Sequence, residues 1–84
     1  MLKLRPDLMF VEEAGETILF DPATGEISLL NSSATYLLTL LDGTKSMEQM
    51  AEEMAGHFDG VEFAEALKDV TTFIDQLSQN HFLV

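Results

Sequence analysis

The chain is 84 residues long, 46% apolar and free of cysteine, and its 15 carboxylates against four Lys and Arg leave a net charge of −11. A chain this short supports one core, so residues 1–84 read as a single domain held by packing alone, with no disulfide, thiolate metal ligand or cysteine nucleophile. Lys3, Arg5, Lys45 and Lys68 are too few cations to neutralise the phosphates of a nucleic acid, and the acidic surface suits a basic peptide or a basic patch on another protein instead.

Leu8-Met9-Phe10-Val11, between Pro6 and Gly15, reads as a first strand, and Thr17-Ile18-Leu19-Phe20 as a second. Pro22 presets φ for the corner of a turn and Gly25 supplies a left-handed position. Asp21-Pro22-Ala23-Thr24-Gly25 should therefore join Phe20 to Ile27 in a tight antiparallel hairpin. Glu26 to Leu30 is the third strand, which a meander leaves at an edge with one row of backbone groups unpaired.

Near Asn31 the apolar period changes from about two to about 3.6. Asn31 or Ser32 can cap a first helix, in which Ala34, Leu37, Leu38 and Leu41 share one stripe and which Gly43 is placed to end. Ser46 and Gln49 have capping-box spacing for a second helix, with Met47, Met50, Ala51, Met54 and Phe58 on its inner side. After Asp59-Gly60 a third helix runs from about Val61 to Ser78. Its apolar face of Phe63, Ala66, Leu67, Val70, Phe73, Ile74 and Leu77 is wide for a small core, so either all seven pack into the core or part of the face is left to line a groove. Asn80 is a left-handed stop, and His81-Phe82-Leu83-Val84 folds back as a short extended tail.

Three strands followed by three one-sided helices must stack the helices on one face of the sheet. The fold class is α+β, of winged helix-turn-helix type, with a three-stranded antiparallel sheet followed by three helices.

Little in the chain suggests chemistry. His57 and His81 have no metal-ligand spacing around them, and Glu12/Glu13 and Glu52/Glu53 lack the burial or oriented partner that tunes a catalytic carboxylate. No glycine loop cradles a phosphate. The chain reads as non-catalytic, with no cofactor or metal. No apolar run approaches the roughly 20 residues that cross a bilayer. Met1-Leu2-Lys3-Leu4-Arg5-Pro6 is not followed by the apolar core of a secretory signal, so no membrane is implied and the cytoplasm is the expected location.

The order strand, Leu19-Phe20-Asp21, Thr24-Gly25, strand, Leu30-Asn31, helix, Leu41-Asp42-Gly43-Thr44, Ser46-Met47-Glu48-Gln49-Met50-Ala51, then Asp69-Val70, Phe73, Leu77 and an apolar Leu83-Val84 end resembles the PqqD family. Members serve as recognition elements for the precursors of ribosomally synthesised, post-translationally modified peptides. The resemblance runs from about Asp7 to Val84, and Leu-Asn before the first helix with Leu-Asp-Gly-Thr after it are its more specific parts. It implies a peptide chaperone that binds the leader segment of a precursor and presents it to a modifying enzyme: a radical SAM maturase, as in pyrroloquinoline quinone (PQQ) biosynthesis, a lasso-type leader peptidase, or another modifying enzyme.

The leader is expected to add as an antiparallel strand beside the third strand, its apolar side chains in a groove against the third helix. Carried onto this sequence, the peptide-binding residues are Ile27, Ser28, Leu29 and Leu30 on the strand and Ala66, Asp69, Val70 and Phe73 on the helix. Two other readings compete. One is an adaptor that pairs through its free edge with another protein or with itself as a homodimer. The other is a winged-helix transcription regulator, whose recognition helix would offer Lys68 as its only cation amid Glu62, Glu65, Asp69 and Asp75.

Overall fold

In the computed structural model, which describes residues 2–84 and leaves Met1 of the N-terminal segment outside, three antiparallel strands in the order β1-β2-β3 precede three helices. The strands are β1 (Met9–Glu13), β2 (Glu16–Phe20) and β3 (Ile27–Leu30); the helices are α1 (Ser32–Leu38), α2 (Met47–His57) and α3 (Phe63–Gln79). This is the α+β architecture expected from the sequence.

The β1–β2 hairpin is closed by Ala14 and Gly15, both at positive φ (54° and 81°), which is the two-residue turn whose twist matches paired strands. That turn sets Glu13 opposite Glu16 and carries β1 two residues beyond the expected end at Val11. Leu8 drops out of the strand and is buried in the core. Phe20 and Ile27 pair across the second hairpin as anticipated, with Gly25 at a φ of 78°.

Asn31 caps α1 by accepting from the Ala34 N–H. The helix stops at Leu38, short of the expected Gly43, because Leu40 and Leu41 bond back only three residues, to Leu37 and Leu38, and tighten the chain. Leu41 still reaches the core. In α2 both halves of the Ser46–Gln49 capping box are formed.

The C-terminal end of α3 differs in detail from expectation. His81, rather than Asn80, takes the left-handed conformation (φ 60°); its N–H bonds to the Ser78 carbonyl and the Phe82 N–H to the Leu77 carbonyl. This paired closure turns the chain sharply and drives Phe82 into the core beside Leu77. The tail then pairs with the N-terminal arm through Leu83 and Leu4, with Val84 donating to Lys3.

Arg5 fastens three segments at that corner, bonding Asp7, the buried Asp21 of the β2–β3 turn and the His81 carbonyl. Its guanidinium holds both carboxyls below the usual range of an aspartate. Leu19, Leu37, Met50, Met54, Val70 and Phe82 form the fully buried centre. A buried Thr17–Thr35 hydroxyl bond of 2.8 Å ties the inner face of the sheet to α1.

Candidate peptide-binding site

β3 lies at one edge of the sheet and β1 at the other. The 2.9 Å bond from the Asp21 N–H to the Glu26 carbonyl sets the phase of the β2–β3 ladder. In antiparallel pairs, bonded and non-bonded positions alternate, so Ser28 and Leu30 exchange bonds with Leu19 and Thr17. Ile27 and Leu29 then direct their N–H and C=O groups away from the sheet. Those backbone groups form the free edge.

Side chains alternate the other way. Thr17 and Leu19 are buried, so Leu30 and Ser28, opposite them, face the helices and are partly buried. Ile27 and Leu29 stand on the outer face, 64% and 78% exposed.

Between β3 and α3 runs a trough. Its lower part, about 310 Å³, has Leu19, Leu77 and Phe82 as a floor, Ser28 to Leu30 as one wall and Phe73, Gln76 and Asn80 as the other. An upper part of about 330 Å³ continues from Phe73 and Gln76 to Thr72, Asp69 and Lys68, against Asn31, Ala34 and Leu37 at the start of α1. A further concavity of about 500 Å³ lies off the end of β3, where the Ala14 turn and Glu16 face Leu29, Leu30 and Asn31. The lower trough is apolar at its base and polar on its α3 rim. This arrangement takes an extended chain with apolar side chains down and amide or hydroxyl partners along one side.

The sequence-derived residues divide between this trough and the core. Ser28, Leu29 and Leu30 line it, and Ile27 contributes edge backbone. Phe73 lines both parts although its own ring is nearly buried, and exposed Asp69 stands in the upper part. Ala66 and Val70 do not reach it: both are wholly buried. The helical period explains the split, because positions 66, 70, 73, 74 and 77 face inward while 69, 72, 73, 76 and 80 form the adjacent stripe.

The width of the α3 apolar face is therefore taken up mainly by the core, with the tail residue Phe82 packed against it. Gln76, Thr72, Asn80, Leu77 and Phe82 were not anticipated as lining. The polar residues 69, 72, 76 and 80, spaced three or four apart beside the apolar stripe, were the available signal. Phe82 carried none, because its position depends on the turn at His81.

Among the described residues no cluster of His, Asp and Glu could hold a metal ion, and no helix is long and apolar enough to cross a membrane. Lys68 is the single cation on α3, and the carboxylates of Glu62, Glu65, Asp69 and Asp75 surround it in sequence.

No curated protein matches the sequence significantly. Two solved structures share the fold. One, described as TbiB1 in complex with the TbiA(beta) leader peptide, superposes with a TM-score of 0.84 at 18% identity over 96% of this chain and 93% of that one. The other, a lasso peptide synthetase B1 complexed with the leader peptide, gives 0.83 at 23% identity over 98% and 95%. The family model for coenzyme PQQ synthesis protein D matches residues 16–83, from the start of β2 through the tail, and the chain belongs to the PqqD family.

Proposed function

We propose that this domain binds the leader segment of a ribosomally made precursor peptide as a fourth strand beside β3 and presents it to a modifying enzyme. The observation that carries the reading is the coincidence of outward-facing backbone at Ile27 and Leu29 with an apolar-floored trough beneath the same strand. The two solved relatives of this fold, each described with a leader peptide, support it.

Recognition divides into two physical parts. The N–H and C=O groups of Ile27 and Leu29 bond to peptide backbone, each bond contributing about 0.5–1.5 kcal/mol whatever the peptide sequence. Alternate peptide side chains point down into the trough, and burial of each apolar one contributes about 1.5–3 kcal/mol. The second part selects the peptide. Ser28, Leu29, Leu30, Phe73, Asp69 and the newly placed Gln76 and Asn80 are the contact residues, while Ala66 and Val70 support the helix from within. Asp69 favours a basic leader residue at the upper end of the trough.

The domain acts by recognition alone, in the cytoplasm where precursors are made, and the receiving enzyme is a radical SAM maturase or a leader peptidase. Titration of the ¹⁵N-labelled protein with the leader encoded in the same gene neighbourhood tests the reading. Amide shifts concentrated at residues 26–30 and along residues 69–80 are expected. Shifts confined to β1, or absent at saturating peptide, would overturn it.

A further inference from the structure

The sheet packs its helices on one face only, and the opposite face is apolar and uncovered. The registers place Met9 and Val11 of β1, Ile18 and Phe20 of β2, and Ile27 and Leu29 of β3 side by side on that outer face. Apart from partly buried Phe20 they are solvent-exposed, from 45% at Ile18 to 78% at Leu29. Isolated exposed apolar residues are ordinary, but a continuous two-by-three array on a small domain marks an interaction surface. At one end the same face carries Glu13 and Glu16, directly opposite each other across the hairpin. Like charges in that position repel.

We infer that this outer face is the docking surface for the enzyme that acts on the bound peptide, through an enzyme patch that joins apolar side chains to a Lys or Arg set against Glu13 and Glu16. The inference rests on the reading of β3 as the leader-binding edge. Charge argues for that occupant over a second copy. Among the described residues the only cations are Lys3, Arg5, Lys45 and Lys68, none of them on these three strands, so a second copy brings no partner for the Glu13–Glu16 pair. It would also bring another chain of net charge −11.

Area shows how much else the partner must touch. A stable complex buries about 800 Å² on each partner, so whatever docks on these six side chains must also reach surface beyond them.

Continuity with the leader site supplies the remaining surface. A strand added beside β3 extends the sheet by one row, and its outward side chains fall next to Ile27 and Leu29 on the outer face. The enzyme then reads sheet and leader together, so leader and enzyme each strengthen binding of the other by the same factor.

The test uses the whole chain, its leader peptide and the leader-processing enzyme encoded beside it, with Val11→Lys and the double variant Glu13→Lys/Glu16→Lys. Val11 lies on β1, away from the trough and from the concavity off the end of β3, which Glu13 and Glu16 help to line. Thermal melts should confirm that both variants fold. Leader affinity is expected to be unchanged in Val11→Lys, while affinity of the leader-loaded protein for the enzyme falls about tenfold or more in both variants. Wild-type protein should bind the enzyme about tenfold more tightly with leader than without.

Equal enzyme affinity in wild type and both variants, with leader binding intact, overturns the inference alone. So does a wild-type dimer in sedimentation that Val11→Lys dissociates, since a second copy would then cover the face. A wild-type protein that fails to bind leader overturns the reading of β3 and this inference with it.

Discussion

β1 and β3 flank the same central strand, and each leaves a row of backbone hydrogen-bonding groups unpaired. On β1, in phase with the Glu13–Glu16 pair, the free groups belong to Phe10 and Glu12; on β3 they belong to Ile27 and Leu29. The edges differ in what lies beneath them. All five residues of β1 are exposed, whereas β3 borders a trough floored by Leu19, Leu77 and Phe82. An edge by itself offers hydrogen bonds to any extended chain, which is as much an aggregation hazard as a site. The concavity beside Glu12 at the β1 edge is lined by Ser32, Thr35, Tyr36, Thr39, His57 and Phe58 and lacks such an aliphatic floor, and on the proposed reading that floor is what makes the β3 edge selective.

The most severe way to break the contrast is to remove the floor. Phe82→Ala should cost about 3–5 kcal/mol of stability, a large share of what a domain this size possesses, and urea denaturation would read it. Leader binding should be lost with it.

A smaller loss is expected for Arg5→Gln, which frees the N-terminal arm, the β2–β3 turn and the tail from one another. Arg5 holds the carboxyls of Asp21 and Asp7 below their ordinary value, so in the folded state these groups stay ionised to lower pH than in the unfolded chain. Their contribution is complete above a pH of about 4 and disappears as pH falls through the lowered folded values. Melting curves of wild type and Arg5→Gln should therefore differ most near neutrality and converge in acid. A gap that widened below pH 4 would contradict the ion-pair account.

Proline scanning compares the edges directly. Leu29→Pro removes an outward N–H without breaking the β2–β3 ladder, and with the loss of one bond and the added steric block it should weaken leader binding about tenfold or more. Phe10→Pro does the equivalent at the β1 edge and should leave leader binding unaltered by isothermal titration. Equal losses would mean that edge backbone, not the trough, governs binding.

Gln76→Ala addresses the α3 wall and should lower leader affinity by about 0.5–1.5 kcal/mol, a few-fold to roughly tenfold, with little change in melting temperature. The smallest effect belongs to the β1 turn. Ala14 occupies a left-handed position that asparagine tolerates better, so Ala14→Asn should stabilise the hairpin by about 0.5 kcal/mol and leave leader binding as it was.

Legibility followed the range of the interactions. The Phe20–Ile27 hairpin, the Asn31 cap and the Ser46–Gln49 box were readable because each depends on residues no more than about seven positions apart. The end of α1 was not, since three-residue backbonding at Leu40 and Leu41 prevailed over an apolar stripe that continued to Leu41. On α3 the apolar period identified the inward face but not which flank would meet β3. Hence Ala66 and Val70 were expected in the groove and lie in the core, while Gln76 and Asn80 line the trough.

By itself the sequence determined the order of elements, the location of β3 at an edge, the net charge of −11, and the family. These follow from local periodicity, turn chemistry and composition. The tertiary structure decided which backbone groups face outward, that Phe82 floors the trough, and that six apolar side chains gather on the far side of the sheet. Each of these depends on register and on the turn at His81, which bring together residues distant in the chain, and no local pattern encodes such distances.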